Sequence, residues 1–199
     1  MFVTGLVLAA GASERLGQPK QLLPYRGTTL LDTTLGMARS CRFDQLIVTL
    51  GGASPDVRDT VDLHGIDVVE NIHFADGCSS SIVAALDAVD PRSDGVVLLL
   101  GDQPGVDPAV VRGLVGMAAH PAAPPLGACR YRNGRGHPFW LHRRIFDDLL
   151  QLHGDKGVWK LLEAHPDRVA EHPVDREVPI DVDSWDDYLA LLDADEVRS

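Results

Sequence analysis

The chain has 199 residues, of which 45% are hydrophobic and 24% charged, and its formal net charge at pH 7 is −11. A chain of this length can bury one sizeable core, and no low-complexity tract divides it, so we expect one domain over residues 1–199. The negative charge disfavours a nucleic acid polymer as partner, and no apolar stretch approaches the ~18 residues of a membrane span.

The N-terminal stretch "LVLAAGASERLGQPKQLL" joins a short apolar run to a series of small residues. Its Ala10-Gly11-Ala12 segment imitates the small-x-small pattern that signal peptidases cut. No basic residue precedes the run, and it is shorter than the ~15–30 residues of a secretory signal. The cysteines follow no C-x-x-C spacing and indicate neither a disulfide framework nor a zinc site. We therefore expect a cytoplasmic protein with no membrane partner.

Apolar runs alternate with helical patterns through the first 120 residues. The strands that we predict are Gly5–Leu8, Gln45–Leu50, Asp67–Glu70 and Gly95–Leu100. The helices that we predict are Leu30–Ser40, Pro55–Leu63, Ser79–Val89 and Pro108–Ala119. The fourth strand is apolar on both faces, which is typical of a central parallel strand. The alternation predicts βαβ units in an α/β fold, a three-layer α/β/α sandwich with a Rossmann-like, mostly parallel sheet.

The second half of the chain changes character. The stretch "PLGACRYRNGRGHPFWL" contains two extended pieces around Asn133-Gly134, which predicts a C-terminal antiparallel hairpin. Two helical patterns follow, Arg143–Leu152 and Lys156–Ala164. The extended "EVPIDVDS" then leads into a last helix from about Trp185.

The loop formed by residues 9–20 is a candidate phosphate site. In open α/β sheets, ligands bind beyond the carboxyl ends of strands, and small side chains let backbone N–H groups approach an anion. The guanidinium of Arg15 can donate two parallel hydrogen bonds to a phosphate, and the ammonium of Lys20 supplies a compact positive charge. Five residues separate Gly11 from Gly17 and Lys20 precedes Gln21, so the spacing is not that of a P-loop, and G-x-G-x-x-G is absent. A solvated surface turn is the alternative.

Carboxylates follow two extended segments. "LLLGDQP" ends a buried strand at Asp102, and "PIDVDSWDD" places Asp181 and Asp183 on one side of an extended segment. Carboxylates at strand ends beside a phosphate loop are what Mg²⁺ needs to bridge a protein and a nucleotide. Each aspartate is, as an alternative, a helix cap or turn residue.

The stretch "LAAGASERLGQPKQLLPYRGTTLLD" resembles the opening signature of the molybdenum cofactor guanylyl- and cytidylyltransferases. In that family L-A-x-G precedes an Arg-x-Gly-x-x-Lys pattern. The likeness continues in order through "DGCSSSIVAAL", "LLLGDQPGV", "GRGHPFW", "LHGDKGVWKLL" and "IDVDSWDDY", so it covers the whole chain. Leu-Ala-Ala-Gly is closer to the cytidylyltransferase branch. The resemblance implies a fold of the nucleotide-diphospho-sugar transferase type.

The same resemblance implies roles for individual residues. Lys20 and Arg15 would neutralise the triphosphate, while Asp102 and Asp183 would hold Mg²⁺. The residues implied to bind the nucleotide are Leu8, Ala9, Ala10, Gly11, Asn71, Ser79, Ser80 and Asp102. Those implied to border the acceptor are Gly136, His137, Pro138 and Lys156. The two serines are alternatively helix caps, and His137 is alternatively a structural histidine.

The activity implied is transfer of CMP from CTP to the phosphate of molybdenum-molybdopterin, with release of pyrophosphate. One alternative keeps the chemistry but uses GTP or another NTP, or a sugar, polyol or phospholactate acceptor. Another is a non-catalytic protein that delivers the finished cofactor to a molybdenum hydroxylase apoenzyme.

Overall fold

The computed structural model describes residues 1–196, so the predicted domain end at 197–199 lies outside the described residues. Its strands are β1 (Val3–Ala9), β2 (Pro24–Tyr25), β3 (Thr28–Thr29), β4 (Gln45–Leu50), β5 (Asp67–Glu70), β6 (Gly95–Leu100), β7 (Leu126–Tyr131), β8 (Gly134–His142) and β9 (Val169–Pro173). Its α-helices are α1 (Leu30–Ser40), α2 (Ser54–Thr60), α3 (Cys78–Leu86), α4 (Pro108–Ala118), α5 (Phe146–Leu149), α6 (Gly157–Ala164) and α7 (Trp185–Glu196).

Seven strands form one mixed sheet in the order β5-β4-β1-β6-β8-β7-β9. The β5, β4, β1 and β6 strands are parallel, and β8 pairs antiparallel with both β6 and β7. One core, which includes Val7 and Leu35, packs α1, α2 and α4 against the sheet, and another, which includes Leu6 and Ile82, packs α3, α5 and α6 against it. The predicted three-layer fold with its hairpin is confirmed.

The structure corrects three local predictions. The predicted helix Arg143–Leu152 is wrong: a 3₁₀ turn precedes the short α5, and Gln151 N donates to Asp148 O, which tightens the chain into a turn. Strand β9 was not predicted, because "VAEHP" is a partly exposed edge strand without an apolar run. The β2–β3 ribbon was also missed, since two-residue strands carry no periodicity.

A third, smaller core fixes the C-terminal segment over the carboxyl edge of the sheet. Its buried members are Leu16, Leu23, Tyr25, Leu30, Val182, Tyr188 and Leu191. Tyr188 Oη donates to Pro24 O, and Val182 N donates to Asp102 O at 3.2 Å. The first loop, the ribbon and α7 therefore share one core, which holds residues 181–183 beside the end of β6.

Helix α7 begins with a reciprocal cap. Asp187 N donates to Ser184 Oγ at 3.3 Å, while Asp187 Oδ2 accepts from the backbone N–H groups of Asp183 and Ser184 at 3.2 and 2.9 Å. This is the arrangement of a capping box. Ser184 and Asp187 thus cap the helix, and the Asp183 carboxylate is left for another role. Among residues 1–196, no helix is both long and apolar enough to cross a membrane.

Gly77 lets the start of α3 approach the loop at 154–155. Its φ is +97°, and a Cβ there would lie 2.7 Å from the carbonyl carbon of Gly154. Cys78 N donates to Asp155 Oδ1 at 3.1 Å, so the side chain of Asp155 caps the start of α3. Backbone with this φ and an extended ψ is almost restricted to glycine.

We expect Gly77→Ala to lower the free energy of unfolding by about 2–4 kcal/mol, because it adds both backbone strain and a steric clash. Gly27→Ala is the matched control: its φ is also positive, at +79°, but nothing lies within 4 Å of the added methyl. This control is expected to lose about 1 kcal/mol. Urea unfolding of the two variants measures the difference, and equal losses would contradict the contact at Gly154.

Candidate active site

Lys20 joins two carboxylates that are far away in the sequence. Its Nζ donates to Asp183 Oδ1 at 2.7 Å and contacts Asp102 Oδ2. Lys20 begins the 3₁₀ turn that ends the first loop, and Asp102 lies just after β6. A Cβ on Gly11 would lie 3.8 Å from Lys20 Cε, so the lysine side chain runs alongside the loop. We call Lys20, Asp102 and Asp183 the Lys20 cluster.

The charges of the Lys20 cluster perturb one another. Burial alone would lower the pKa of Lys20, but the charges and hydrogen bonds of Asp102 and Asp183 outweigh it and hold that pKa above its usual value. Burial raises the pKa of Asp102, and the Lys20 ammonium offsets part of the rise. Partial burial and then the charges of Asp102 and Asp183 raise the pKa of nearby Asp181 to about 7. Three carboxyl groups thus share one ammonium, and the site has an excess of negative charge.

This excess suits a divalent cation. Mg²⁺ is usually held by one or two carboxylates, and substrate phosphates and water complete its coordination. Asp102 and Asp183 supply two carboxylates that already converge on one nitrogen. Within residues 1–196, no three His, Cys, Asp or Glu side chains form a cluster able to hold a metal on their own. The donor set therefore fits Mg²⁺ that arrives with a nucleotide.

The first loop is organised by Gln21, which sequence reasoning did not select. Gln21 is 3% exposed, and its Nε2 donates to Ala9 O at 2.7 Å and to Gly11 O at 3.1 Å. Both carbonyls are thereby turned inward. The side chains of Leu8 and Ala9 belong to the two main cores. Of the predicted nucleotide contacts in β1 and its loop, Gly11 is the exposed one.

Ser13 and Leu16 hold the outer part of the loop. Ser13 has a φ of +56°, and its Oγ accepts from Lys20 N at 3.0 Å. Leu16 is buried in the third core, while its neighbour Arg15 is exposed. The hydrogen bond from the Ser184 hydroxyl lowers the pKa of Asp187, and the charge of Arg15 lowers it by a smaller amount. Arg15 is therefore placed at the rim of the loop, and Lys20 at its base.

A cavity of about 370 Å³ lies on the other side of Asp102, towards β8. It is lined by Cys78, Ser79, Ile82, Leu98, Leu100, Gln103, Arg135, Gly136, His137, Asp155, Lys156, Val158, Trp159, Val178 and Asp181. Three of the four predicted acceptor residues are among them, and Pro138 is not. No residue of the first loop lines the cavity, whereas Gln103 and Asp181, sequence neighbours of the Lys20 cluster, do.

An irregularity in β8 brings His137 to this cavity. Ala128 pairs with Phe139 and the next residue, Cys129, pairs with Gly136, so His137 and Pro138 are left out of the ladder. The His137–Pro138 peptide bond is cis. The His137 ring lies 4.1 Å from the Phe139 ring, centroid to centroid, and burial lowers the pKa of His137 to about 3. The imidazole is therefore neutral at physiological pH.

Ser79, Ser80 and Asn71 hydrogen-bond with their neighbours. Ser79 Oγ donates to Gly154 O at 2.5 Å and Ser80 Oγ to Gly77 O at 2.7 Å, so neither serine acts as the helix cap considered above. Asn71 Nδ2 donates to the hydroxyls of Ser80 and Ser81. Their predicted contacts with a nucleotide stay predictions.

Arg135, Gln103 and Trp159 are further cavity residues that sequence reasoning missed. Arg135 forms an ion pair with Glu171, its Nε lying 2.9 Å from Oε1. Gln103 directly follows Asp102, and its position after a strand end was the available signal. Trp159 borders the cavity, and its ring meets that of Phe139 edge-on, with 5.0 Å between the ring centroids.

A small-residue loop, a buried lysine and paired carboxylates at the carboxyl edge of a Rossmann-like sheet define the class of protein as a nucleotidyltransferase. Residues 5–169 match the MobA-like NTP transferase domain, so the chain belongs to this family. The predictions of family and of enzyme class are confirmed.

Individual relatives agree on the family. The chain is 34% identical over 171 residues to the nicotine blue oxidoreductase of Paenarthrobacter nicotinovorans. The aligned region covers 82% of this chain and 83% of that protein. It is 26% identical over 187 residues to the molybdenum cofactor cytidylyltransferase of Escherichia coli strain K12, with 92% of each covered. It is 49% identical to Rv0371C of Mycobacterium tuberculosis H37Rv, solved in complex with manganese, with a TM-score of 0.85 and 98% and 100% of the two chains covered.

The two bonds from Gln21 predict the behaviour of Gln21→Met. Removing the buried amide leaves the Ala9 and Gly11 carbonyls unpaired, so we expect the free energy of unfolding to fall by about 1–3 kcal/mol. The affinity for a nucleoside triphosphate is expected to fall about 10-fold, because the loop amides lose their orientation. Gln18→Met makes the same chemical change at an exposed position of the loop and should alter neither quantity. Calorimetric CTP titrations and urea unfolding check both, and wild-type values for Gln21→Met would refute this role.

The neutral His137 predicts a pH-dependent stability. Between about pH 6.5 and pH 3 the unfolded chain binds a proton that native His137 does not, so this residue lowers the free energy of unfolding as the pH falls. Relative to wild type, His137→Gln should gain about 1 kcal/mol per pH unit below pH 6 and nothing above pH 7. Urea unfolding from pH 4 to 8 tests this. Parallel pH profiles for the two proteins would show that His137 titrates normally in the native state.

Proposed function

We propose that the protein transfers a cytidylyl group from CTP to the phosphate of a molybdopterin-type acceptor, with Mg²⁺ and with release of pyrophosphate. The observation that carries the proposal is that Lys20, at the end of the first loop, contacts Asp102 and Asp183, whose sequence neighbours Gln103 and Asp181 line the 370 Å³ cavity. A triphosphate on the loop and an acceptor in the cavity meet at Asp102, where positive charge and cation ligands are concentrated.

The reaction needs no enzyme nucleophile. An oxygen of the acceptor phosphate forms a bond to the α-phosphorus, and the bond from that phosphorus to the bridging oxygen of the β-phosphate breaks. The electron pair leaves with pyrophosphate. The task of the chain is therefore to position the two phosphates and to neutralise charge. Burial raises the pKa of Cys78, the thiol that lines the cavity, to about 11, which keeps it protonated.

Each part of the cluster has a role in this scheme. The backbone N–H groups of the loop at Ala10 and Gly11 bind phosphate oxygens, and Lys20 stabilises the charge that develops on the leaving pyrophosphate. Asp102 and Asp183 would hold Mg²⁺, which when bound supplies charge stabilisation at the α-phosphate. The manganese in the complex of the mycobacterial relative supports a divalent cation in this fold. Arg15, at the rim, adds positive charge for the triphosphate.

The preference for CTP is supported by the small-residue loop. Ala10 is 4% exposed, and its carbonyl is packed so closely that a Cβ on Gly51 would lie 2.3 Å from it. The alanine methyl narrows the site relative to glycine, which suits a pyrimidine better than a purine. The relative named as a cytidylyltransferase, alignable over 92% of the chain, supports the same choice.

A second candidate function follows from the relative named as an oxidoreductase, which is 34% identical to this chain. The G-x-G-x-x-G fingerprint of nicotinamide dinucleotide binding is absent from the sequence. The Lys20 cluster also offers no redox group. Oxidoreductase activity without release of pyrophosphate from any nucleotide would favour this candidate.

The direct test is release of pyrophosphate by the protein with Mg²⁺ and purified molybdenum-molybdopterin, with CTP, GTP and ATP supplied in turn. We expect turnover with CTP and at least 10-fold less with the others, the scale that a single pocket contact supplies. Asp102→Asn should lower kcat by about 100-fold or more, because it removes a carboxylate that would hold Mg²⁺ where charge develops in the transition state.

Asp193→Asn is the matched control, because it makes the same chemical change at an exposed position of α7. It should leave kcat unaltered. Turnover with GTP alone would retain the mechanism and overturn the base preference. Binding of nucleotide without turnover, together with Asp102→Asn that still supports maturation of a molybdenum hydroxylase, would favour delivery over catalysis.

A further inference from the structure

Gln103 lies where the Lys20 cluster meets the cavity. It directly follows Asp102, lines the cavity and is only 1% exposed. Its Nε2 donates to Pro179 O at 2.9 Å. Because a carbonyl oxygen can only accept a hydrogen bond, this contact fixes which end of the amide faces Pro179. The amide oxygen is therefore the end that remains for another partner.

Within residues 1–196, Gln103 Oε1 has no hydrogen-bond partner. Burial of an acceptor without a partner costs free energy, and most buried polar atoms in proteins are paired. The buried Gln21 Oε1, Thr49 Oγ1 and Trp140 Nε1 are also unpaired, but none of those residues lines the cavity. Gln103 is thus the one residue of these four that joins an unpaired buried acceptor to the cavity lining.

The rest of the cavity suits a flat heterocycle. Leu98, Leu100 and Val178 contribute apolar walls, and Trp159 contributes an aromatic surface. The neutral imidazole of His137 adds a second ring without a charge. Lys156 and Arg135 place positive charge on the lining. Apolar and aromatic side chains of this kind pack against a heterocyclic ring, and the few polar groups hydrogen-bond with atoms at the ring edge.

We propose that Gln103 determines acceptor specificity: its Oε1 accepts a hydrogen bond from a ring N–H or amino group of the acceptor's heterocycle. The proposal rests on the proposed function, because it assigns the cavity to the acceptor. Gln103 is adjacent to Asp102, so recognition of the ring edge and positioning of the reacting phosphate come from consecutive residues.

Gln103 also helps to hold residues 179–183 in place, through its hydrogen bond to Pro179 O and beside the bond from Val182 N to Asp102 O. A purely structural role of Gln103 would act through the hydrogen bond to Pro179. It would disturb Asp183 and the cation, whereas ligand recognition would change affinity for a donor-bearing ring alone. The two roles therefore predict different measurements.

The test measures binding of two probes, pterin, which carries ring N–H and amino donors, and 1,3-dimethyllumazine, which has neither. Gln103→Met should weaken pterin binding about 5–30-fold, the effect of one lost hydrogen bond, and change 1,3-dimethyllumazine binding less than about 2-fold. Thr49→Val, which removes another unpaired buried oxygen away from the cavity, should change neither dissociation constant. The dissociation constant of CTP should stay within about 2-fold of wild type in both variants.

Gln103→Glu provides a second variant, because it keeps an oxygen acceptor at this position. Its affinity for pterin is expected to fall less than that of Gln103→Met. Equal pterin affinity in wild type and Gln103→Met would overturn the proposal. So would an equal loss for both probes, which would assign Gln103 a structural role in shaping the cavity.

Failure of this inference can be told apart from failure of the proposed function, because probe binding needs no turnover. Gln103-dependent binding of pterin by a protein that releases no pyrophosphate from any nucleotide would support the inference and remove the transferase activity. A protein that turns over CTP with a phosphorylated acceptor lacking a heterocycle, and that binds no pterin, would overturn the inference and leave the activity.

Discussion

The contact of one ammonium group with two carboxylates organises this molecule. Lys20 lies 82 residues before Asp102 and 163 before Asp183, yet its Nζ hydrogen-bonds with both. Buried charges require partners, and this requirement fixes the end of the first loop, the end of β6 and the C-terminal segment relative to one another. The same three groups leave an excess of negative charge at the carboxyl edge of the sheet.

The surrounding fold is arranged so that this contact can form. Parallel strands β1 and β6 are neighbours in register, and their carboxyl ends deliver the loop and Asp102 to one edge. The third core brings Val182 under the edge and leaves Asp181 and Asp183 on its outer side. The β8 irregularity places His137 on the wall of a cavity that Gln103, the residue after Asp102, also lines. The loop, the charged cluster and the cavity therefore lie at the same edge of the sheet.

Much of this was predictable from the sequence. The strands at 45–50, 67–70 and 95–100 have the predicted bounds. The first and third are mostly apolar runs of six residues, and the short 67–70 strand follows from the alternation of strands and helices. The small-residue loop at 9–20 and the aspartates at 102, 181 and 183 predicted a site at the carboxyl edge of the sheet, where these residues lie. Gln21 could not be selected in this way, and the position of Gln103 after a strand end was a weak signal, since the importance of a glutamine depends on which carbonyls the fold brings within hydrogen-bonding distance. Strand β9 forms because β7 pairs with it, and its own residues show no strand pattern.

The account depends on where a nucleotide and a cation bind, and a crystal structure of the protein with CTP and Mn²⁺ tests this most directly. Anomalous scattering would locate the metal. We predict Mn²⁺ at the carboxylates of Asp102 and Asp183 and in contact with a phosphate of CTP, with the triphosphate on the loop at Ala10 and Gly11 and the 370 Å³ cavity free of the triphosphate. A triphosphate seated in that cavity, or a metal bound away from both carboxylates, would contradict the proposed site.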